Sequence, residues 1–212
     1  MTLRTKSFLL LVIVALIWGS GFIATEYAIR SGMPTESIMA LRFTSAALIL
    51  GILNWKKLKS CPALTARRGI VAGLFLFFAF YAQTIGQGLT TVSHTAFLTA
   101  TNVVMIPFFL WLLEKRRPSV RIVVLSMVVL AGVGLMSLKF EEGFVVSAGD
   151  AIVLLCAALF ALHIIYVGKY CKTDDPTLIT FWQILASSIV SIAFMLFMDK
   201  APEPEQLSAG IL

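Results

Sequence analysis

Seven stretches of about 18 residues or more run through this chain with almost no charge: 8–28, 36–54, 69–88, 93–113, 121–138, 148–169 and 177–198. A helix rises about 1.5 Å per residue, so each stretch is long enough to cross a hydrocarbon core of about 30 Å. No water reaches backbone groups there, which restricts isolated spans to helices. The chain is therefore predicted to be all-α, a polytopic transmembrane helical bundle in a lipid bilayer. Composition agrees: 59% of residues are hydrophobic and 13% charged, whereas soluble domains are about half apolar and a quarter charged. Arg4 and Lys6 precede the first stretch as in a signal peptide, but the run is too long and Trp18-Gly19-Ser20 offers no clean cleavage site. It is read as a retained span.

Loop charge sets the orientation. Of 17 lysines and arginines, thirteen fall before span one and in the loops after spans two, four and six. Only Arg30, Lys139 and Lys200 fall on the other side, and Arg42 lies within span two. The positive-inside rule then places the amino terminus in the cytoplasm. The net charge of +6 concerns topology and headgroups; no aromatic-basic patch points to nucleic acid. Cys61 and Cys171 fall in cytoplasmic loops and Cys156 in span six, so no disulfide framework is expected. No Cys/His spacing suggests a metal, and no cofactor motif is present. The absence of G-x-x-x-x-G-K-[ST], H-E-x-x-H, G-x-S-x-G and any mid-span Lys or Asp gives no basis for an ATP-driven pump, a retinal protein or an enzyme.

The chain also matches itself. Displaced by 142, Ala15 meets Ala157, Trp18 meets Phe160, Ile23 meets Ile165 and Pro34-Thr35 meets Pro176-Thr177. Displaced by 141, Gly69-Ile70 meets Gly210-Ile211. Five spans separate equivalent positions, so equivalent helices run in opposite directions, the plan of many secondary transporters. The expected organisation is a first five-helix repeat over 1–140 and a partial second repeat over 147–212, with two spans and the start of a third. Seven spans are present where ten would complete the pair. The chain is then either part of a longer protein or borrows helices from a partner, a homodimer being one such arrangement.

Several short motifs follow one another in a telling order. They are Trp18-Gly19-Ser20, Pro34 with Leu41-Arg42-Phe43, Thr90-Thr91-Val92-Ser93, Pro107 and Glu114, Gly149-Asp150, and Pro176 followed by Trp182-Gln183. Together they resemble the EamA-like transporters of the drug/metabolite transporter superfamily. The resemblance implies two inverted five-helix units around a central substrate cavity.

Polar residues inside the spans are the candidate site. Asn102 lies about 13 Å into span four, near the midplane, with Thr99 a turn before it. Its amide either faces a wet cavity or fastens neighbouring helices. Pro107 frees the Val103 carbonyl and suits a cavity wall or hinge. Trp18 is about 15 Å deep in span one beside Gly19 and Gly21, as a cavity wall or gate, or as tight packing. Arg42 in span two can snorkel outward, pair with Glu26 or Glu36, or bind an anion. Gln183 is its repeat counterpart on the cytoplasmic side, and both are read as gating residues. Gln83 and Gln87 line an external mouth or touch headgroups. His163, with Tyr166 on nearly the same face, either relays a proton or bonds a neighbouring helix in the neutral form. The reading is a plasma-membrane secondary transporter exporting small metabolites, such as amino acids or related compounds, by alternating access. A non-transporting sensor or assembly protein, or an inactive part of a transporter, is the other class.

Overall fold

The computed structural model describes residues 3–115, 117–137 and 147–206. Arg116, Lys139 and the Gly210-Ile211 pair lie outside them. The described residues form eight helices: α1 Leu3–Arg30, α2 Thr35–Leu58, α3 Ala63–Leu89, α4 Val92–Ala100, α5 Asn102–Glu114, α6 Val120–Ser137, α7 Ala148–Tyr170 and α8 Pro176–Phe197. Together α4 and α5 make one crossing, so all seven apolar stretches are helical.

Local chemistry sets the ends. Gly32 takes φ +79° after α1. Its amide bonds the Ile29 carbonyl, and the Met33 amide reaches back to Ala28, the glycine-dependent Schellman closure. Ser147 and Asp150 form a reciprocal capping box on α7. Asp175 caps α8 by accepting from the Thr177 amide at 2.8 Å, with Pro176 in the first turn.

The crossing of span four differs from expectation at one point. Its hydrogen-bond ladder is interrupted at Thr101, six residues before Pro107, while Pro107 sits buried inside α5. The Thr101 hydroxyl donates to the Leu98 carbonyl at 2.6 Å and its amide bonds the same oxygen. A hydroxyl that competes for a carbonyl three residues back tightens the turn locally.

The centre of the bundle is α3, packed between α7 and α8, with α2 against α8. Of its apolar window 61% is buried, against 6% for α1. Small residues permit the close approach. A β-carbon at Gly73 would lie 2.5 Å from the Gln183 carbonyl oxygen, and one at Gly86 would lie 2.5 Å from a Val153 methyl. Thus Gly69-x-x-x-Gly73 is the seat of α8. Phe77 and Phe80 of the aromatic run 75–81 are buried, while Phe78 stays exposed.

Ion pairs hold the basic end of the bundle. Arg68 meets Asp174 at 2.9 Å and Lys57 meets Asp175 at 2.9 Å. Lys57 and the Thr177 amide hold the Asp175 carboxyl below its usual range. At the opposite end, Ser37 bonds the Lys200 carbonyl and Gln206 bonds the Gly32 carbonyl.

Candidate functional site

The polar and aromatic residues inside the spans collect where α1, α2, α3, α4 and α7 face one another. Trp18 on α1 meets Phe160 on α7 edge to face, with ring centroids 6.5 Å apart. Phe160 continues to Phe80 of α3 at 5.0 Å. The Arg42 guanidinium of α2 lies over the Phe80 ring, 4.3 Å from its centroid. An aromatic chain therefore joins Trp18 to Arg42. Trp18 is 45% exposed, and nothing lies within 4 Å of a β-carbon at Gly19. Among the described residues the glycine faces open space.

Arg42 departs from one of its three expected roles. Glu26 is engaged by Arg30 at 2.7 Å and by Gln87 at 3.4 Å. Glu36 accepts from the Tyr81 hydroxyl at 2.7 Å. Neither pairs with Arg42. The guanidinium lies instead over Phe80 of α3 and beside Gly21 of α1, where a β-carbon would be 3.4 Å from Nη2. Phe80 itself lies in an aromatic run, and only the long-range contact identifies its ring as the arginine's platform.

One turn along α3, Gln83 donates to the Thr99 hydroxyl at 3.1 Å. Thr99 also faces the Cys156 thiol of α7. Gln87, another turn on, donates to the Phe22 carbonyl of α1 at 2.9 Å. The two glutamines thus bond neighbouring helices and do not reach for headgroups. Asn102 is 6% exposed, yet its amide makes no hydrogen bond among the described residues. Interhelical fastening would have required one.

His163 and Gln183 form a separate pair, Nε2 to Oε1 at 2.9 Å, between α7 and α8. Tyr166 packs against Phe75 at 5.9 Å and Tyr170 at 4.8 Å, nearer the basic end. A cleft of about 370 Å³ lies between α5 and α7, lined by Ile106, Leu110, Glu114 and Lys169; of the residues singled out from sequence it holds Glu114. Apolar walls with charges at one rim fit acyl-chain contact better than solute binding.

Sequence reading missed a cluster at the end opposite the ion pairs. Asp150 is 3% exposed. It accepts from the Ser147 amide at 2.8 Å and the Thr90 hydroxyl at 2.7 Å, and His94 Nδ1 lies 3.3 Å away. The two loose motifs Thr90-Thr91 and Gly149-Asp150 were its signal.

A bundle of apolar helices with unpaired polar groups turned inward defines a multi-pass membrane protein. The model of the EamA-like transporter family matches residues 5–138, and the chain belongs to that family. A protein of Archaeoglobus fulgidus described as an uncharacterized transporter is 33% identical over 187 residues, covering 88% of this chain and 57% of its own length. The chain thus spans little more than half the length of that relative.

Proposed function

We propose that the protein works as a secondary-active transporter of small metabolites at the cell membrane, with its amino terminus in the cytoplasm. Two inverted units rock about the Trp18–Arg42 site, which opens to each side in turn. One repeated contact carries the reading. Gly21 and Arg42 face each other between α1 and α2, with a β-carbon at Gly21 3.4 Å from Arg42 Nη2. His163 and Gln183, displaced by 142 and 141 residues, face each other between α7 and α8. Positions equivalent under the displacement thus lie opposite each other in both helix pairs, and Trp18 meets its own counterpart Phe160, which supports the reading. A helical turn over 204–206 begins where a displacement of 141 puts the counterpart of α3.

The test is solute flux in proteoliposomes of the full-length protein. Trp18→Ala and Asn102→Ala are each expected to lower kcat/KM about tenfold or more, a transition-state loss of about 1.4 kcal/mol. Unchanged flux in both would remove the site assignment, and binding without any flux would favour a sensor.

Orientation has its own test. Cys156 is buried and Cys61 and Cys171 are partly exposed. A membrane-impermeant maleimide should label Cys61 and Cys171 from the cytoplasmic face only, with Cys156 silent. Burial and the nearby Asp174 push the Cys171 thiol above its ordinary value of 9.0. The thiolate is the nucleophile, so labelling of Cys171 should be slow at neutral pH and still rising above pH 9. Mass spectrometry reads each site, and labelling from the outer face would reverse the topology.

A further inference from the structure

Arg42 is a cation inside a span with no carboxylate partner among the described residues. Glu26, Glu36 and Asp150 are engaged by other groups. Among the described residues the guanidinium lies over the Phe80 face, a β-carbon at Gly21 of α1 would be 3.4 Å from its Nη2, and its N–H donors find no acceptor. A charge within a membrane span is costly and is retained where it meets a partner or a wet cavity. A guanidinium presents a planar fork that matches carboxylate oxygens two at a time.

We propose that Arg42 receives the carboxylate of a small solute, a monoanion or zwitterion, whose apolar body rests on Trp18. This deepens the transport reading and rests on it for the location of the cavity. Charge matching selects the class. Among the described residues the other lysines and arginines lie at helix ends or in loops, so a phosphate dianion would leave unbalanced negative charge in a low-dielectric site. A lipophilic cation would meet an unneutralised positive charge. Trp18 supplies the apolar wall: its ring is half-exposed and backed by Phe160. The open space beside Gly19 leaves room for the solute. A lipid headgroup is the other source of an anion, and the binding experiment excludes anionic lipid.

The experiment is calorimetric binding to the full-length protein in phosphatidylcholine nanodiscs, which contain no anionic lipid. Phenylacetate and phenethylamine carry the same ring and opposite charge. Phenylacetate should bind at least tenfold tighter than phenethylamine, and inorganic phosphate should not displace it. Arg42→Gln should lose tenfold or more of phenylacetate affinity, and Arg42→Lys should keep part of it. No phenylacetate binding, equal or better binding of the amine, displacement by phosphate, or a folded Arg42→Gln protein that binds as wild type overturns the assignment. The wild-type charge preference stands whether or not the variants fold. Parallel flux separates the two readings: Arg42-dependent binding without flux keeps the site and removes transport, whereas solute flux indifferent to Arg42→Gln keeps transport and removes this site.

Discussion

Gly73→Leu should leave almost no folded protein. The α3–α8 contact is made backbone to backbone, and even a methyl at this position would lie 2.8 Å from the Ala186 β-carbon and 2.5 Å from the Gln183 carbonyl oxygen. A carbonyl fixed in a helix cannot rotate out of the way as a side-chain tip can. Separating the helices would also break the Ser187 hydroxyl bond to the Gly73 carbonyl, at 2.9 Å. Membrane helices lack a strong hydrophobic drive toward each other and depend on this close packing. Over-packing costs about 1–3 kcal/mol where a core yields; here Gly73→Ala should fall in that range and Gly73→Leu beyond it. Fluorescence-detected gel filtration in detergent reads both. A monodisperse Gly73→Leu protein with an unchanged melting temperature would show that the α3–α8 seat is not needed.

Hydropathy located every crossing because the bilayer imposes length and polarity on each span. It misplaced helix ends where helices continue into water. Span three was expected to start at residue 69, but α3 begins at Ala63 and carries Arg67 and Arg68 into the basic end. Hydropathy reports the membrane boundary, and the helix obeys its own cap at Pro62. The break in span four was equally hidden. Pro107 is the visible breaker, whereas the ladder fails at Thr101 through a hydroxyl–carbonyl bond that composition does not reveal.

Side-chain partners were less legible still. Sequence offered Arg42 two acidic neighbours, and the fold gives both to other residues. Glu26 lies one helical turn from Arg30, a local pairing that wins without tertiary rearrangement. Glu36 goes to Tyr81 because α2 meets α3 on that side. The arginine's freedom therefore follows from which helix faces which, information carried by contacts far apart in the chain. The same holds for Asn102: depth could be counted along the helix, but the lack of a hydrogen-bond partner required the neighbours.

Asp150→Ala should destabilise the protein by about 2–4 kcal/mol. One carboxylate joins three helix ends: the last turn of α3 through Thr90, the first turn of α4 through His94, and the start of α7 through the Ser147 amide. Losing the α7 cap costs about 1 kcal/mol. Leaving buried donors without an acceptor costs about 1–3 kcal/mol more. Negative charge at the α7 amino terminus adds a favourable helix-dipole term, which Asp150→Asn would remove while keeping an acceptor for Thr90. The neutral variant should therefore fall between wild type and alanine. Thr90→Val removes one bond and should cost about 1 kcal/mol. Because Thr90 and Asp150 act through the same contact, the double variant should cost less than the two singles combined, with a coupling of about 0.5–1 kcal/mol. Thermal melts of the four proteins in one detergent measure this cycle. Strict additivity would mean that Thr90 and Asp150 are not partners, and the link between α3 and α7 at this end would have to lie elsewhere.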